Sequence, residues 1–308
     1  MSSPQAFGEG GAIVVPEPAR DTLRVAGADA KTWLNGVLSS DVSKLTGRQG
    51  VYGLLLSKQG KVQAELDLVE GQDAAVWIGV SAGRGERVQE QLDRVLVMED
   101  AELTREPSVR WLRFHGPKAV EIAFSVQERV AAGAIDWLGV GGAALALPEV
   151  AVPAALASAR AAGAQEVDAE RWHALRIRQG FPSFGSDFTD EDNPHEASLD
   201  RRAVSWTKGC YLGQEVVCMQ DMRGRVKRRL VALELDGAAP AIPGSELESP
   251  GEAGPVGRIT SAARDGRSAV ALARVKFPFF EGSHPLSVGG RAARILKPGP
   301  AGGGSFEP

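Results

Sequence analysis

Cysteine is nearly absent from this sequence: Cys210 and Cys218 are the two in 308 residues. A single pair cannot form a disulfide framework for a chain of this length. Its C-x7-C spacing is not the short C-x2–4-C of zinc knuckles. Iron–sulfur clusters usually take four thiolates, so a resident cluster would require a second chain. Histidine is also scarce: His115, His173, His195 and His284 are scattered without an HExxH spacing, which suits structural or surface groups better than metal ligands. No stretch approaches the ~20 apolar residues of a membrane helix. Met1–Gly11 shows no basic region followed by an apolar run, so no secretory signal is expected. A reducing cytoplasm and no membrane contact are the expectation. An excess of positive charge is missing too. The 35 Lys and Arg face 39 Asp and Glu, a net charge of −4, which argues against a protein built to coat nucleic acid.

What is present is an ordinary globular composition, 43% apolar and 24% charged, in a length that suits two or three domains. Ala12–Val15 and Thr22–Val25 read as short strands, and Gly27–Leu38 as a turn followed by a short helix with Asp29 as N-cap. Val51–Ser57 and Lys61–Val69 flank Lys58-Gln59-Gly60, a hairpin signal. Ala74–Val80 and Val109–His115 read as strands. Gly85–Leu96 has helical spacing of Val88, Leu92, Val95 and Leu96. Pro117–Phe124 opens a helix with proline in its first turn. This α+β mixture of hairpins and crossing helices lacks the regular alternation of a doubly wound sheet. Helices follow at Pro153–Ala162 and Asp168–Gln179. The polar stretch Phe181–Arg202 is longer than ordinary connections, which marks it as functional or disordered. Short strands with Gly and Pro punctuation from Arg229 onward predict a small barrel or sandwich, and Lys297–Pro308 reads as a disordered tail.

The informative segment is Trp206-Thr207-Lys208-Gly209-Cys210-Tyr211-Leu212-Gly213-Gln214-Glu215. Gly209 and Gly213 can take positive φ or admit a ligand close to the backbone. Lys208 beside Cys210 could raise the thiolate fraction of a thiol whose free pKa is ~8.5. Gln214 offers a donor and an acceptor, and Glu215 an acceptor. That inventory suits a planar heterocycle, but it equally suits a glycine-flanked turn leading into a helix with Cys210 buried. Trp206 could stack on such a ring, whereas Trp33 and Trp172 read as core. The basic run Arg223, Arg225, Lys227, Arg228 and Arg229 reads either as an anion site or as a solvated face. It is too small for tight nonspecific nucleic-acid binding. Asp187, Asp190, Glu191 and Asp192 read as a solvated acidic loop in preference to a cation site.

K-G-C-Y-L-G-Q-E at 208–215 resembles the signature of the folate-binding YgfZ family, relatives of the glycine-cleavage T-protein. Trp33-Leu34-Asn35-Gly36 through Ser40-Asp41-Val42, Gly60-Lys61-Val62, Leu175-Arg176-Ile177 with Gly180, Gly257–Ser261 and Ala271–Val275 are similar to further family motifs in the same order, so the likeness spans roughly residues 20–296. It implies a three-lobed arrangement. One α+β folate-binding domain would be discontinuous, 1–47 with 135–226, and a second would occupy 48–134. A C-terminal β-barrel would cover 227–297, followed by a tail at 298–308. It also implies a bound tetrahydrofolate and service to iron–sulfur client enzymes, including one that modifies tRNA. On this reading Cys210 is the reactive or partner-contacting thiol. Lys208, Gly209, Tyr211, Gly213, Gln214, Glu215 and Trp206 shape the folate loop, and Arg176 and Arg223 take folate carboxylates.

The sequence departs from the family pattern in two places. T-proteins carry paired aspartates after the hairpin glycine, where this chain has Gln63-Ala64-Glu65-Leu66-Asp67. Alanine cannot act as acid or base, and strand alternation sets Glu65 and Asp67 on one face. Arg178 likewise replaces an acidic residue in the helix-end motif. The rival functions are a folate-dependent one-carbon transferase using Glu65 or Asp67, and a noncatalytic scaffold.

Overall fold

The computed structural model describes residues 11–16, 20–224 and 226–296. They form two compact units. The first takes in the chain up to residue 56, 63–169 and 202–212; the second takes in 57–62, 170–201 and the chain from 213 on.

In order, the elements are β1 Ala12–Pro16, β2 Asp21–Ala26, α1 Ala30–Val37, β3 Val51–Leu56, β4 Val62–Glu70, β5 Val76–Val80, α2 Gly85–Asp93, β6 Glu102–Arg105, β7 Val109–His115, α3 Ala119–Ser125, β8 Ala131–Ala134, β9 Gly142–Pro148, α4 Val152–Ala161, β10 Ala164–Glu166, α5 Ala169–Arg178, α6 Gln214–Arg223, β11 Arg228–Leu235, β12 Glu246–Leu247, β13 Gly257–Asp265, β14 Ser268–Lys276, β15 Leu286–Val288 and β16 Arg291–Ile295. The expected α+β mixture with a barrel-like C-terminal sheet is present.

The first unit holds two five-stranded sheets, ordered β3-β4-β5-β2-β6 and β10-β1-β7-β9-β8. Helix α1 forms where it does because Ala30, Trp33, Leu34 and Val37 recur at helical spacing, and all four are buried against the first sheet. Burying a leucine such as Leu34 contributes about 2 kcal/mol. Asp29 is the N-cap, its carbonyl taking the Trp33 amide at 2.8 Å, but its carboxylate accepts the Asp100 amide at 2.9 Å in place of a first-turn amide. Trp33 belongs to the core, as expected, and its indole donates to the Val95 carbonyl. Gly79 lies under Trp111 of β7, where a Cβ would meet the indole at 2.8 Å, so the close approach of the two sheets requires glycine. Strands β8 and β9 were not foreseen. Their Ala-Ala-Gly-Ala and Gly-Ala-Ala-Leu-Ala-Leu-Pro sequences have low strand propensity, and antiparallel pairing of β9 with β7 and of β8 with β9 overrides it.

The second unit is built on a six-stranded antiparallel sheet, β12-β13-β14-β11-β16-β15. Glu248 bridges Ser287, bringing the outer strands together and nearly closing a barrel. Helix α5 buries Ala174 and Ile177 against Ala232, Ala263, Val270 and Leu272 of that sheet. The long stretch 181–202 is an ordered, partly buried loop, with Asp187, Phe188, Asp192, Asn193 and His195 all inside. Strand β1 shares its sheet with strands from 109–166, and β2 shares the other sheet with strands from 51–105. The expected tail at 298–308 lies outside the described residues, as does Arg225.

Candidate functional site

The string 208–215 is divided. Its first five residues pack within the first unit, and Gly213 opens helix α6 of the second. In the first unit the loop is pinned from two sides. The Ser205 amide donates to the Ser39 carbonyl, and the Ser39 hydroxyl donates to the Ala203 carbonyl at 2.6 Å. The Lys208 ammonium then closes on three carbonyls at the end of α1 and just beyond it: Asn35, Leu38 at 2.8 Å and Ser40 at 2.9 Å. Helix ends leave carbonyls without intrahelical partners, so a cation there satisfies both hydrogen bonding and the helix dipole. Burial pushes the Lys208 ammonium down to about 8, with the Asp41 carboxylate pulling the other way. The Lys208 ammonium also sits 5.2 Å from the ring centre of Tyr211, which is buried.

This geometry revises the expected role of Lys208. Its three donors are taken by backbone carbonyls, so it fixes the loop instead of attending the thiol. Cys210 emerges from that loop exposed and reduced, contrary to the alternative in which it is buried. Gly209 is exposed with open space around its Cα, whereas Gly213 adopts φ +80 at the start of α6, the left-handed conformation expected of it. Gln214 is half-buried and Glu215 exposed in the first turn of α6, and Trp206 is half-buried. In the second unit, Gly60 at the hairpin tip takes φ +70 close to Val216, where a Cβ would sit 3.1 Å from the valine. Cys218 is half-buried on α6, and burial with the nearby Asp221 pushes its thiol up.

Lys208→Met should expose the importance of the clamp. Three carbonyls lose a charged donor, and a hydrogen bond to a charged group contributes about 1.5–3 kcal/mol. With solvent able to reach part of the site, the expected loss is about 1–3 kcal/mol in urea unfolding. An unchanged midpoint would show that the loop is held by other contacts.

The β4 carboxylates do share a face, and both are sealed inside the first unit. Glu65 accepts from Tyr52 at 2.6 Å and from Ser81 at 3.2 Å. Asp67 is fully buried, bound by Arg113 at 2.5 Å, by the Trp137 indole at 2.8 Å, and by Arg20 at 3.3 Å. Burial alone would raise the Asp67 carboxyl, but the two guanidiniums and the indole outweigh it and hold the group low. His115, buried edge-on to Trp137, is pushed down to about 3 by burial and by Arg113.

Arg176, expected to take a folate carboxylate, is held by internal partners. It is 6% exposed, and its guanidinium bonds Asp187 at 2.7 Å, the Phe181 carbonyl, His173 and Ser261. Asp187 and Asp192 are therefore buried anchors for arginine, neither a solvated acidic loop nor a cation site. No cluster of metal-binding side chains exists among the described residues. Arg178 pairs with Asp265 and Glu234 of the sheet. Arg223 is exposed at the last turn of α6. Sequence reasoning missed the Arg176–Asp187 and Asp67–Arg113 pairs, whose partners lie 11 and 46 residues apart.

Paired sheets followed by a small barrel-like sheet make up a fold like that of the glycine-cleavage T-protein. Residues 20–155 match the GCVT N-terminal domain. The structure resembles the glycine cleavage system aminomethyltransferase T from Bartonella henselae with a TM-score of 0.75 and 18% identity, over 92% of this chain and 84% of that one. The tRNA-modifying protein YgfZ of Escherichia coli O157:H7 is 27% identical over 238 residues, covering 73% of this chain and 72% of that protein. Its counterpart in Shigella boydii serotype 4 is 26% identical over the same share. The chain is thus similar to YgfZ proteins over about three quarters of its length and shares its fold with a glycine-cleavage T-protein. No helix among the described residues is long and apolar enough to cross a membrane.

Proposed function

We propose that this protein binds a reduced folate and serves iron–sulfur client enzymes, a tRNA-modifying one among them, through the Cys210 thiol. The supporting observation is the contrast between the two candidate chemistries. The 208–212 loop is pinned with its thiol facing solvent, while the β4 carboxylates that a one-carbon transferase would need are sealed against internal donors. The relatives named for tRNA modification agree with that division.

A reduced folate presents a mixed donor and acceptor edge and an anionic tail. Gln214 and Glu215 offer complementary groups for the edge, and Arg223 a cation for the tail. Arg176 is already engaged and is not among them. When bound, the folate supplies a one-carbon carrier. The chain's own contribution is to hold that edge, bind the tail and present Cys210.

Calorimetry with tetrahydrofolate and its 5-formyl derivative tests this reading. Binding is expected, and Arg223→Ala should weaken it by several-fold, with the difference shrinking as salt screens the exposed charge. Absence of heat with every reduced folate would overturn the binding proposal. Tetrahydrofolate-dependent ammonia release from an aminomethylated lipoyl carrier at enzymatic rates would instead make the protein a transferase.

A further inference from the structure

The second unit carries a cavity of about 480 Å³ on the barrel-like sheet, with Arg228, Arg258, Arg274 and Lys276 among its lining side chains. The size falls in the range of small-molecule sites. The register shows how the four cations come together. Arg258 of β13 lies directly opposite Arg274 of β14, and Arg228 of β11 lies directly opposite Lys276 of the same β14. Residues 274 and 276 are two apart, so all four occupy a contiguous block on one sheet face. Directly opposed residues stand about 4.5–5.5 Å apart at Cβ, and like charges there are destabilising. The sheet therefore holds two repulsive pairs side by side.

Carboxylates support this block without filling it. Asp192, itself buried, holds Arg274 at 2.7 Å and Arg228 at 3.5 Å. Glu196 takes Arg228 at 3.0 Å. Asp187 also lines the cavity, but both its oxygens are occupied, one by Arg176 and the other by the Thr260 hydroxyl. On the outer side Arg258 meets only a loose contact with Glu246 at 3.7 Å, both side chains being more than half exposed. Lys276 is exposed and donates to the Pro255 carbonyl. Two arginines are thus oriented from beneath while two further cations stand at the mouth. Ser186 and Thr189 add hydroxyls to the lining. Among the described residues no aromatic ring lines it, so a nucleobase finds no stacking partner there.

We propose that this groove binds a compact polyanion, a small molecule carrying a di- or triphosphate, and grips it by its phosphates alone. Arginine forks and a lysine point charge are the side chains suited to phosphate oxygens. The inference goes beyond the folate reading and does not depend on it, since every lining residue belongs to the second unit.

The test uses the full chain, with tripolyphosphate as probe at low salt and Arg258→Gln/Lys276→Gln as the variant. Wild type should bind, and the variant should bind about tenfold more weakly or worse, because two charge-assisted contacts are lost. Its melting temperature should be unchanged or raised, because each opposed pair loses one charge. A purely structural role for these cations would lower it. Arg264→Gln, which removes an exposed cation opposite Ala269 and outside the block, should leave binding intact. Three results overturn the proposal: no tripolyphosphate binding by wild type at millimolar concentration, equal affinity in wild type and the double variant, or binding of a short single-stranded RNA that tripolyphosphate does not displace.

Discussion

Cys210→Ser is expected to melt within about 1–2 °C of wild type, since exposed substitutions usually shift stability by no more than ~0.5 kcal/mol. If Cys210 serves iron–sulfur client enzymes as proposed, their activity in a complemented deletion strain should nevertheless fall at least several-fold. The structural reason for expecting this separation is that Cys210 is exposed while the residues around it carry the packing. Lys208 holds the α1 end, Tyr211 is buried, and Gly213 supplies the left-handed turn into α6. Serine keeps the volume but not the thiolate chemistry, because its hydroxyl stays protonated near neutral pH. Cys218→Ser provides the contrast. Its thiol is half-buried and pushed up by burial and Asp221, so it is poorly disposed to react, and client activity should be retained. If Cys210→Ser restores full client activity at an unchanged melting temperature, the thiol has no chemical role. If melting and activity fall together, Cys210 is a packing residue.

The parts of this molecule that were legible in the sequence are those set by local pattern. The Ala30, Trp33, Leu34 and Val37 stripe marks α1, Lys58-Gln59-Gly60 marks the hairpin, and the short strands after Arg229 mark the barrel-like sheet. Gly213 could be read as a left-handed position because only glycine adopts that conformation without strain. The alanine-rich strands β8 and β9 were not legible, since their conformation comes from β9 pairing with β7 and β8 pairing with β9, and not from their own propensity. The same limit applied at the site. Lys208 beside Cys210 in sequence suggested a thiol partner, yet the carbonyls that engage it lie about 170 residues away on and after α1. Arg176 read as an available cation because its buried acceptor, Asp187, sits in a stretch that looked like solvated loop. Sequence can name the charged groups, but which of them neutralise one another is decided by tertiary contacts.

The same consideration governs Asp67, the position where the transferase alternative and the structure disagree most sharply. Asp67→Asn keeps the shape and one acceptor but removes the charge that faces Arg113 and Arg20, both buried. Removing one partner of a buried ion pair costs about 3–5 kcal/mol, because the remaining charge has neither water nor counterion. A melting temperature lower by about 10 °C is therefore expected for a unit of this size. Glu65→Gln should cost far less, about 1 kcal/mol, since Tyr52 and Ser81 are neutral donors that an amide oxygen can still satisfy. Acid titration adds a second signature. The Asp67 carboxyl is held below its ordinary 3.8 in the folded protein, so its stabilisation is complete above that value and is lost as pH falls through the folded value. Wild type should consequently lose stability below about pH 4 more steeply than Asp67→Asn, which lacks this titration. A catalytic Asp67 would behave in the opposite way: its asparagine variant would fold with wild-type stability and acid profile, losing only one-carbon transfer. Urea unfolding of the two variants at neutral and acid pH decides between an anchor for two guanidiniums and a base.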